Sequence, residues 1–411
     1  MAVSETTTGD TAAPARAAIQ RSLLLLIIAY VGFISLGLPD AITGVAWRDL
    51  RASFQQPHAA FGLISLALGC GYFISSFFAG QLSLRMGIGL LLASSSFLVA
   101  LAMLQISVAP WFWLVLFCIV LWGLGSGAID SGLNHYAASH FSARHVNWLH
   151  ACYSLGATLG PFVMTGALYF SNSWRLGYAI VGGLVFLLAV TFVATLRLWN
   201  DGPSSASTTN EQSPVSMAMT LQRPLVWLQI LIFALYTGVE FMVGNWTATI
   251  LVEARDFPKE TAGVLVGVYY GSIGVGRVFL GGISDWLGVD RLLRGATLTA
   301  VLGTILFAFA PSPWLDIVGL VLLGLGLAPI FPCLMSRTPA RLGTNYAAHA
   351  IGFQVSAATI GGAAFPALAG IVAQQIGPET VAQMSVVLAV AIWLLHEILL
   401  RATLSAPTPA S

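Results

Sequence analysis

A chain of 411 residues with 57% hydrophobic and only 8% charged residues falls outside the soluble globular class, where about 25% of residues carry charge; with a mean hydropathy of +0.85 it reads as an integral membrane protein. The net charge of +1 gives no basic face for nucleic acid, and the single lysine, Lys259, lies in no Gly-Lys-Ser/Thr phosphate loop, which removes ATP as the energy source. Cys70, Cys118, Cys152 and Cys333 sit in apolar segments without ligand-like spacing and read as small hydrophobes, so no metal and no cofactor is expected, and no Ser/His/Asp arrangement supports an enzyme.

Residues 1–21 form a polar, Ala/Thr-rich tail lacking the early apolar core of a cleavable signal, so the first hydrophobic run is expected to stay as a transmembrane helix. Six apolar stretches of spanning length, about 20 residues each, follow at 22–47, 59–83, 88–108, 112–138, 148–170 and 175–197. In the first, Phe33, Gly37, Asp40, Gly44 and Trp47 recur along one helical face. Pro39 weakens the backbone ladder just before Asp40, a device found where a helix lines a cavity. In the fourth, LWGLGSGAIDSGLNHY places Asp130 behind Gly123, Gly125 and Gly127, with Asn134 one turn on. An acid at that depth costs at least ~2.5 kcal/mol if it faces lipid, so Asp130 is expected to face the bundle interior or a wet cavity. Removal from water favours the neutral form of a carboxylate, the property a group needs if it is to take up and release a proton. The bland alternative for both acids is a hydrogen bond made for packing alone.

The interval 198–222, with DGPSSASTTNEQSP at its centre, is a Ser/Thr-rich linker. It separates a first bundle, 22–197, from a second, 223–402, which is followed by a tail at 403–411. The second bundle's stretches are 224–251, 261–284, 292–310, 314–336, 347–374 and 380–401. Glu240, followed by Gly244 and Trp246, offers a carboxylate and an aromatic ring, a familiar pair for holding a sugar, with Asn245 and Tyr236 as helpers; the alternative for Trp246 is a membrane-interface anchor. Asn134, Tyr269 and Gln354 are further polar candidates for substrate. Arg277, within the eighth stretch, is read as a structural partner or gate.

Adding 201 to a first-half position repeatedly lands on the same residue type: Gly37 on Gly238, Gly62 on Gly263, Gly80 on Gly281, Gly87 on Gly288, Trp113 on Trp314, Gly123 on Gly324, Gly125 on Gly326 and Gly160 on Gly361. A constant offset held through five pairs of helices indicates duplication, the organisation of many secondary transporters, whose substrate site lies near the midplane between repeats. The charges are not repeated: Asp40 maps to Phe241, Asp130 to Phe331, Glu240 to Pro39 and Arg277 to Ser76.

With twelve spans both termini share a side. Arg16, Arg21, Arg85, Arg144, Arg197, Arg223, Arg291, Arg294, Arg337, Arg341 and Arg401 fall there, against Arg48, Arg51, Arg175, Arg255 and Lys259 opposite. The positive-inside rule therefore puts the termini and linker in the cytoplasm, in a cell membrane.

These features resemble the major facilitator superfamily over essentially the whole chain. Its diagnostic loop between helices two and three is kept at Gly80, Arg85 and Gly87, with Leu84 where the acid belongs, and its second copy, GGISDWLGVDR, keeps Gly281, Asp285, Gly288 and Arg291. The missing first-half acid moves the expected cytoplasmic latch to Asp285, paired with Arg337 or Arg341 in the inward-closed state; the alternative is a solvated loop charge worth little. Within the superfamily, GLPDAITGVAW, IDSGLNHY with NWLHACYSLGATLGP, and YTGVEFMVGNW are similar to the branch of fucose–proton symporters. That resemblance implies a monomeric, proton-coupled symporter of a neutral sugar or polyol working by alternating access, with sodium as the other candidate ion and the lipid bilayer as its surroundings. It also implies coupling acids in helices one and four, here Asp40 and Asp130. The expected fold is an all-α membrane protein of twelve transmembrane helices in two pseudo-symmetric six-helix bundles. An efflux antiporter for amphipathic compounds is the alternative function.

Overall fold

The computed structural model describes residues 12–141, 143–199 and 216–404; most of the expected tails and the centre of the linker lie outside them. Every regular element among these residues is an α-helix. The first half carries α1 (Ala12–Asp40), α2 (Ile42–Ser53), α3 (Ala60–Met86), α4 (Ile88–Val108), α5 (Phe112–His140), α6 (Ala143–Ser171) and α7 (Trp174–Ala194). Short helices α8 (Leu196–Trp199) and α9 (Met217–Leu221) lie at the two ends of the linker. The second half carries α10 (Pro224–Ala254), α11 (Lys259–Leu287), α12 (Val289–Ala308), α13 (Pro313–Leu327), α14 (Ile330–Leu342), α15 (Thr344–Gln375) and α16 (Glu379–Leu404).

Among the described residues twelve spans are long and apolar enough to cross a membrane, α1 with α2 making the first and α13 with α14 the tenth, as the hydropathy pattern predicts. Both composite spans break at a proline. Pro39 has no N–H to donate back to Ser35, and its ring crowds that carbonyl; the chain turns at Ala41 and α1 ends on Asp40. Pro329 opens α14 in the same way. The first and tenth spans reach Ser53 and Leu342, six residues past the expected ends at 47 and 336. Arg48, Asp49 and Arg51, and likewise Arg337 and Arg341, end the hydropathy without ending the helix.

The 201-residue repeat recurs in the packing. A side chain on Gly123 of α5 would meet Gly71 and Tyr72 of α3, and one on Gly324 of α13 would meet Ser272 and Tyr269 of α11; Gly71 and Ser272 are themselves 201 apart. A Cβ on Gly125 would lie 2.7 Å from the Ser95 carbonyl oxygen, and one on Gly326 would lie 2.7 Å from the Ala296 oxygen, again a matched pair. Glycine here lets helix backbones approach where no hydrophobic force acts between helix and lipid. The loops after the second and eighth spans turn through Gly87 (φ 78°) and Gly288 (φ 82°), a left-handed backbone that residues with a Cβ rarely adopt.

The halves meet along α3 with α15 and α6 with α11. Away from the termini they are closed. Arg51 Nη2 meets Glu253 Oε1 at 2.8 Å, His58 Nε2 meets Glu253 Oε2 at 3.1 Å, and Lys259 Nζ meets Asp49 Oδ1 at 2.8 Å. Each of these contacts crosses between halves. Gly62 of α3 faces Ala367 of α15, and Gly69 faces Ala363, but further along the same seam a Cβ on Gly80 or Gly352 would meet nothing within 4 Å. The α6/α11 seam stays in contact from Thr165 and Gly263 to Ser154 and Gly274, while Gly282 again faces open space. The bundle therefore parts toward the end that bears the termini.

The close approaches predict that Gly125→Val and Gly326→Val each cost about 1–3 kcal/mol by overpacking. Gly183→Val, at a glycine with nothing within 4 Å, serves as the control. Thermal unfolding in detergent checks this; equal melting of all three variants would contradict the packing argument.

Candidate functional site

Four spans of the first half and two of the second bring polar side chains to the meeting of the halves, and each embedded acid there is held by a tyrosine. Asp40, at the break between α1 and α2, accepts a hydrogen bond from Tyr153 of α6 at 2.7 Å. Asp130 of α5 accepts from Tyr72 of α3 at 2.7 Å through Oδ2 and from Asn134 at 2.9 Å through Oδ1. Glu240 of α10 accepts from Tyr236 one turn before it. Asp40 and Asp130 are close enough for their charges to act on each other, and Tyr153 is within electrostatic reach of Glu240. Tyr153, bonded to Asp40, is followed on α6 by Ser154, which accepts from the Arg277 that pairs with Glu240, so Asp40 and Glu240 are linked across the seam.

Their partners differ in kind. Glu240, 5% exposed, is matched by a full positive charge: Arg277 Nη2 of α11 lies 3.2 Å from its Oε1 and 3.3 Å from the Tyr236 hydroxyl. The same guanidinium crosses the seam, its Nη1 donating to Ser154 Oγ of α6 at 2.9 Å. Asp40 and Asp130 are held by uncharged donors. A phenol hydroxyl can accept as well as donate, so the bond to Tyr153 or Tyr72 survives protonation of its acid with the roles reversed. The two aspartates can gain or lose a proton without stranding a partner, whereas Glu240 cannot do so without leaving Arg277 uncompensated.

Of the residues expected at the site, Asp40, Asp130, Asn134, Glu240 and Tyr236 are brought there. Tyr269 joins them with its hydroxyl donating to the Glu240 carbonyl oxygen at 3.0 Å. Arg277, expected as a structural partner or gate, is the counter-ion of Glu240. Trp246 is displaced from its expected role. It is fully buried, its Nε1 donates to the Pro366 carbonyl at 3.2 Å, and its ring packs on Phe61 at 5.4 Å and His58 at 5.9 Å. It is therefore part of the closure away from the termini and is neither a stacking platform beside Glu240 nor an interface anchor. Asn245 belongs to the same closure, its backbone lying against Gly44 of α2. Six and five residues after Glu240, at 100° per residue, these side chains leave α10 on other faces than the acid does.

Gln354 is also elsewhere. It is 1% exposed and closes a buried polar triad with Gln229 and with Thr338, whose hydroxyl lies 2.9 Å from its Nε2. Arg337 and Arg341 both pair with Asp290, at 2.7 and 3.0 Å; the Asp285 side chain lies outside the described residues. Arg85 is exposed at the end of α3. Sequence reasoning missed Tyr72, Tyr153 and Ser154.

A model of the Major Facilitator Superfamily matches residues 23–366. Bypass of stop codon protein 6 of Saccharomyces cerevisiae is 24% identical over 396 residues, covering 86% of this chain and 78% of that protein. The glucose/mannose transporter GlcP of Bacillus subtilis is 22% identical over 292 residues, covering 68% and 70%. Sodium-dependent glucose transporter 1 of Homo sapiens is 22% identical over 380 residues, covering 82% and 71%. Among solved structures, a bacterial homolog of the human lysosomal transporter Spinster, inward-facing and unoccupied, superposes with a TM-score of 0.75 at 14% identity, covering 95% of this chain and 98% of that one. The nucleoside transporter NupG gives a TM-score of 0.72 at 13% identity, covering 94% and 100%. At such identities the structures speak for the fold alone.

Removing Arg277 leaves a buried carboxylate alone, which costs about 3–5 kcal/mol. Arg277→Met is therefore expected to lower the melting temperature sharply and Arg277→Met/Glu240→Gln to recover most of the loss. A double variant as unstable as the single would show that Arg277 matters for something other than this pair.

Proposed function

The chain belongs to the Major Facilitator Superfamily, and on that premise we propose that it carries a small neutral sugar or polyol across the cell membrane together with a proton, by alternating access of its two halves to the site between them. The observation that carries this reading is the difference in partners among the three acids. Asp130 and Asp40 take the proton, because their uncharged tyrosine and asparagine partners tolerate either protonation state. Glu240, fixed by Arg277 and Tyr236 with Tyr269 behind it, presents a carboxylate edge to solute hydroxyls, and Asn134 lies on the opposite wall.

Coupling follows from the position of this group. Asp40 and Asp130 repel each other when both are charged, so a proton entering the pair relieves the repulsion and changes what the first half offers the solute. Tyr153 and Ser154 are consecutive on α6, one bonded to Asp40 and the other to Arg277. A change at the aspartates is thereby felt across the seam at the Glu240 ion pair. The positive-inside rule puts the termini in the cytoplasm, which makes the conformation described here open inward and closed outward. Arg85, Arg337 and Asp285 lie at that inner end, where they serve as candidates for a latch in the inward-closed state. A sugar is favoured over amphipathic drugs because the site walls are acids, phenols and amides, and because two of the relatives are named as glucose transporters.

Purified protein in liposomes tests this. A one-unit inward pH gradient is worth ~1.4 kcal/mol, enough for about tenfold accumulation at one proton per solute. Asp130→Asn is expected to abolish accumulation of glucose or mannose while keeping counterflow. Accumulation that ignores the pH gradient but follows sodium, or export of amphipathic compounds with no sugar movement, would overturn the reading.

A further inference from the structure

Four of the tyrosines around the acids have partners: Tyr72, Tyr153 and Tyr236 each donate to a carboxylate, and Tyr269 donates to the Glu240 carbonyl. Tyr270 is the exception. It is 4% exposed, and its hydroxyl finds no hydrogen-bond partner among the described residues. An unpaired buried hydroxyl is destabilising, and phenylalanine would fill the same ring space without the cost. The ring contact with Tyr269, 5.1 Å between centroids, does not require the oxygen.

Where that oxygen sits gives it a use. A Cβ on Gly244 would strike the Tyr270 hydroxyl and lie 2.5 Å from its Cζ, so the phenol end rests on the bare backbone of α10. Gly244 is one turn beyond Glu240, on the same face. Tyr270 is also within electrostatic reach of both Glu240 and Asp40, and of Tyr153 across the seam. The hydroxyl thus rests against the face of α10 that carries Glu240, in room that exists because position 244 has no side chain.

We infer that the Tyr270 hydroxyl is a specificity-determining ligand for one hydroxyl of the transported solute, with Gly244 providing the room for it. A phenol oxygen both donates and accepts, which suits a sugar or polyol hydroxyl, and the empty protein carries an unmade bond that the solute completes. This rests on the sugar-carrier reading above.

The test uses the full-length protein, with glucose, mannose and single-deoxy analogues of whichever binds, read by thermal shift and by counterflow. Unliganded Tyr270→Phe is expected to melt above wild type, because the unpaired hydroxyl is gone, and to bind the sugar about 3- to 10-fold more weakly, the scale of one net hydrogen bond. One deoxy analogue should lose a similar factor against wild type and nothing more against Tyr270→Phe. Gly244→Ala, which pushes the hydroxyl aside, should weaken binding without adding to the loss in the double variant. If wild type takes a sugar and Tyr270→Phe binds it and all its deoxy analogues equally well, the assignment is overturned alone. If no sugar or polyol binds wild type, the carrier reading fails and takes the assignment with it.

Discussion

A carboxylate inside a bilayer has no water to solvate it, so it must find its partners within the protein or face a wet recess. This constraint orders the molecule. Three of the acids on the described spans, Asp40, Asp130 and Glu240, each have a phenol donating to them, and of these three the one that also has a cation is the one buried most deeply. Helix positions, the break at Pro39 and the crossing of Arg277 to Ser154 all serve to complete these contacts.

The duplicated scaffold explains how such a group can exist on an otherwise symmetric frame. Gly123 and Gly125 pack as Gly324 and Gly326 do, against matched neighbours, so each half builds the same rigid bundle. On that frame Asp130 stands opposite its image Phe331, and Arg277 opposite Ser76. Duplication supplied two equivalent walls, and divergence put titratable groups on one and an ion pair on the other. The group becomes whole only where the walls face each other.

Architecture was largely legible in the sequence because it rests on local signals: spanning length, proline breaks, loop glycines and a constant offset. The acids were legible for the same reason, since a lone charge in an apolar run stands out. Their tyrosine partners were not. Tyr72 and Asp130 are 58 residues apart, and nothing local distinguishes Tyr72 from a residue that packs. Trp246 and Asn245 were misread because adjacency to Glu240 along the chain was taken for adjacency in space, although they leave the helix on other sides. Gln354 has a helical face that suggests a cavity, but two polar neighbours from distant helices, Gln229 and Thr338, claim it first. Asp290, which bonds both Arg337 and Arg341 from the start of the next helix, was passed over because the family loop drew attention to Asp285.

The closure away from the termini has a consequence of its own. Its ions are partly wetted, with side-chain exposures of 20–25% for Arg51 with Glu253 and 24–36% for Lys259 with Asp49, and exposed pairs contribute at most about 1 kcal/mol each. The rest of the seal is the fit of Trp246, Phe61 and His58, and the seating of Gly44 on α10. A lid of this kind is held by shape more than by charge: its ions can rehydrate as it parts, and what resists opening is the return of Trp246 and Phe61 to water. On the alternating-access reading, the door on that side is a spring catch rather than a bolt.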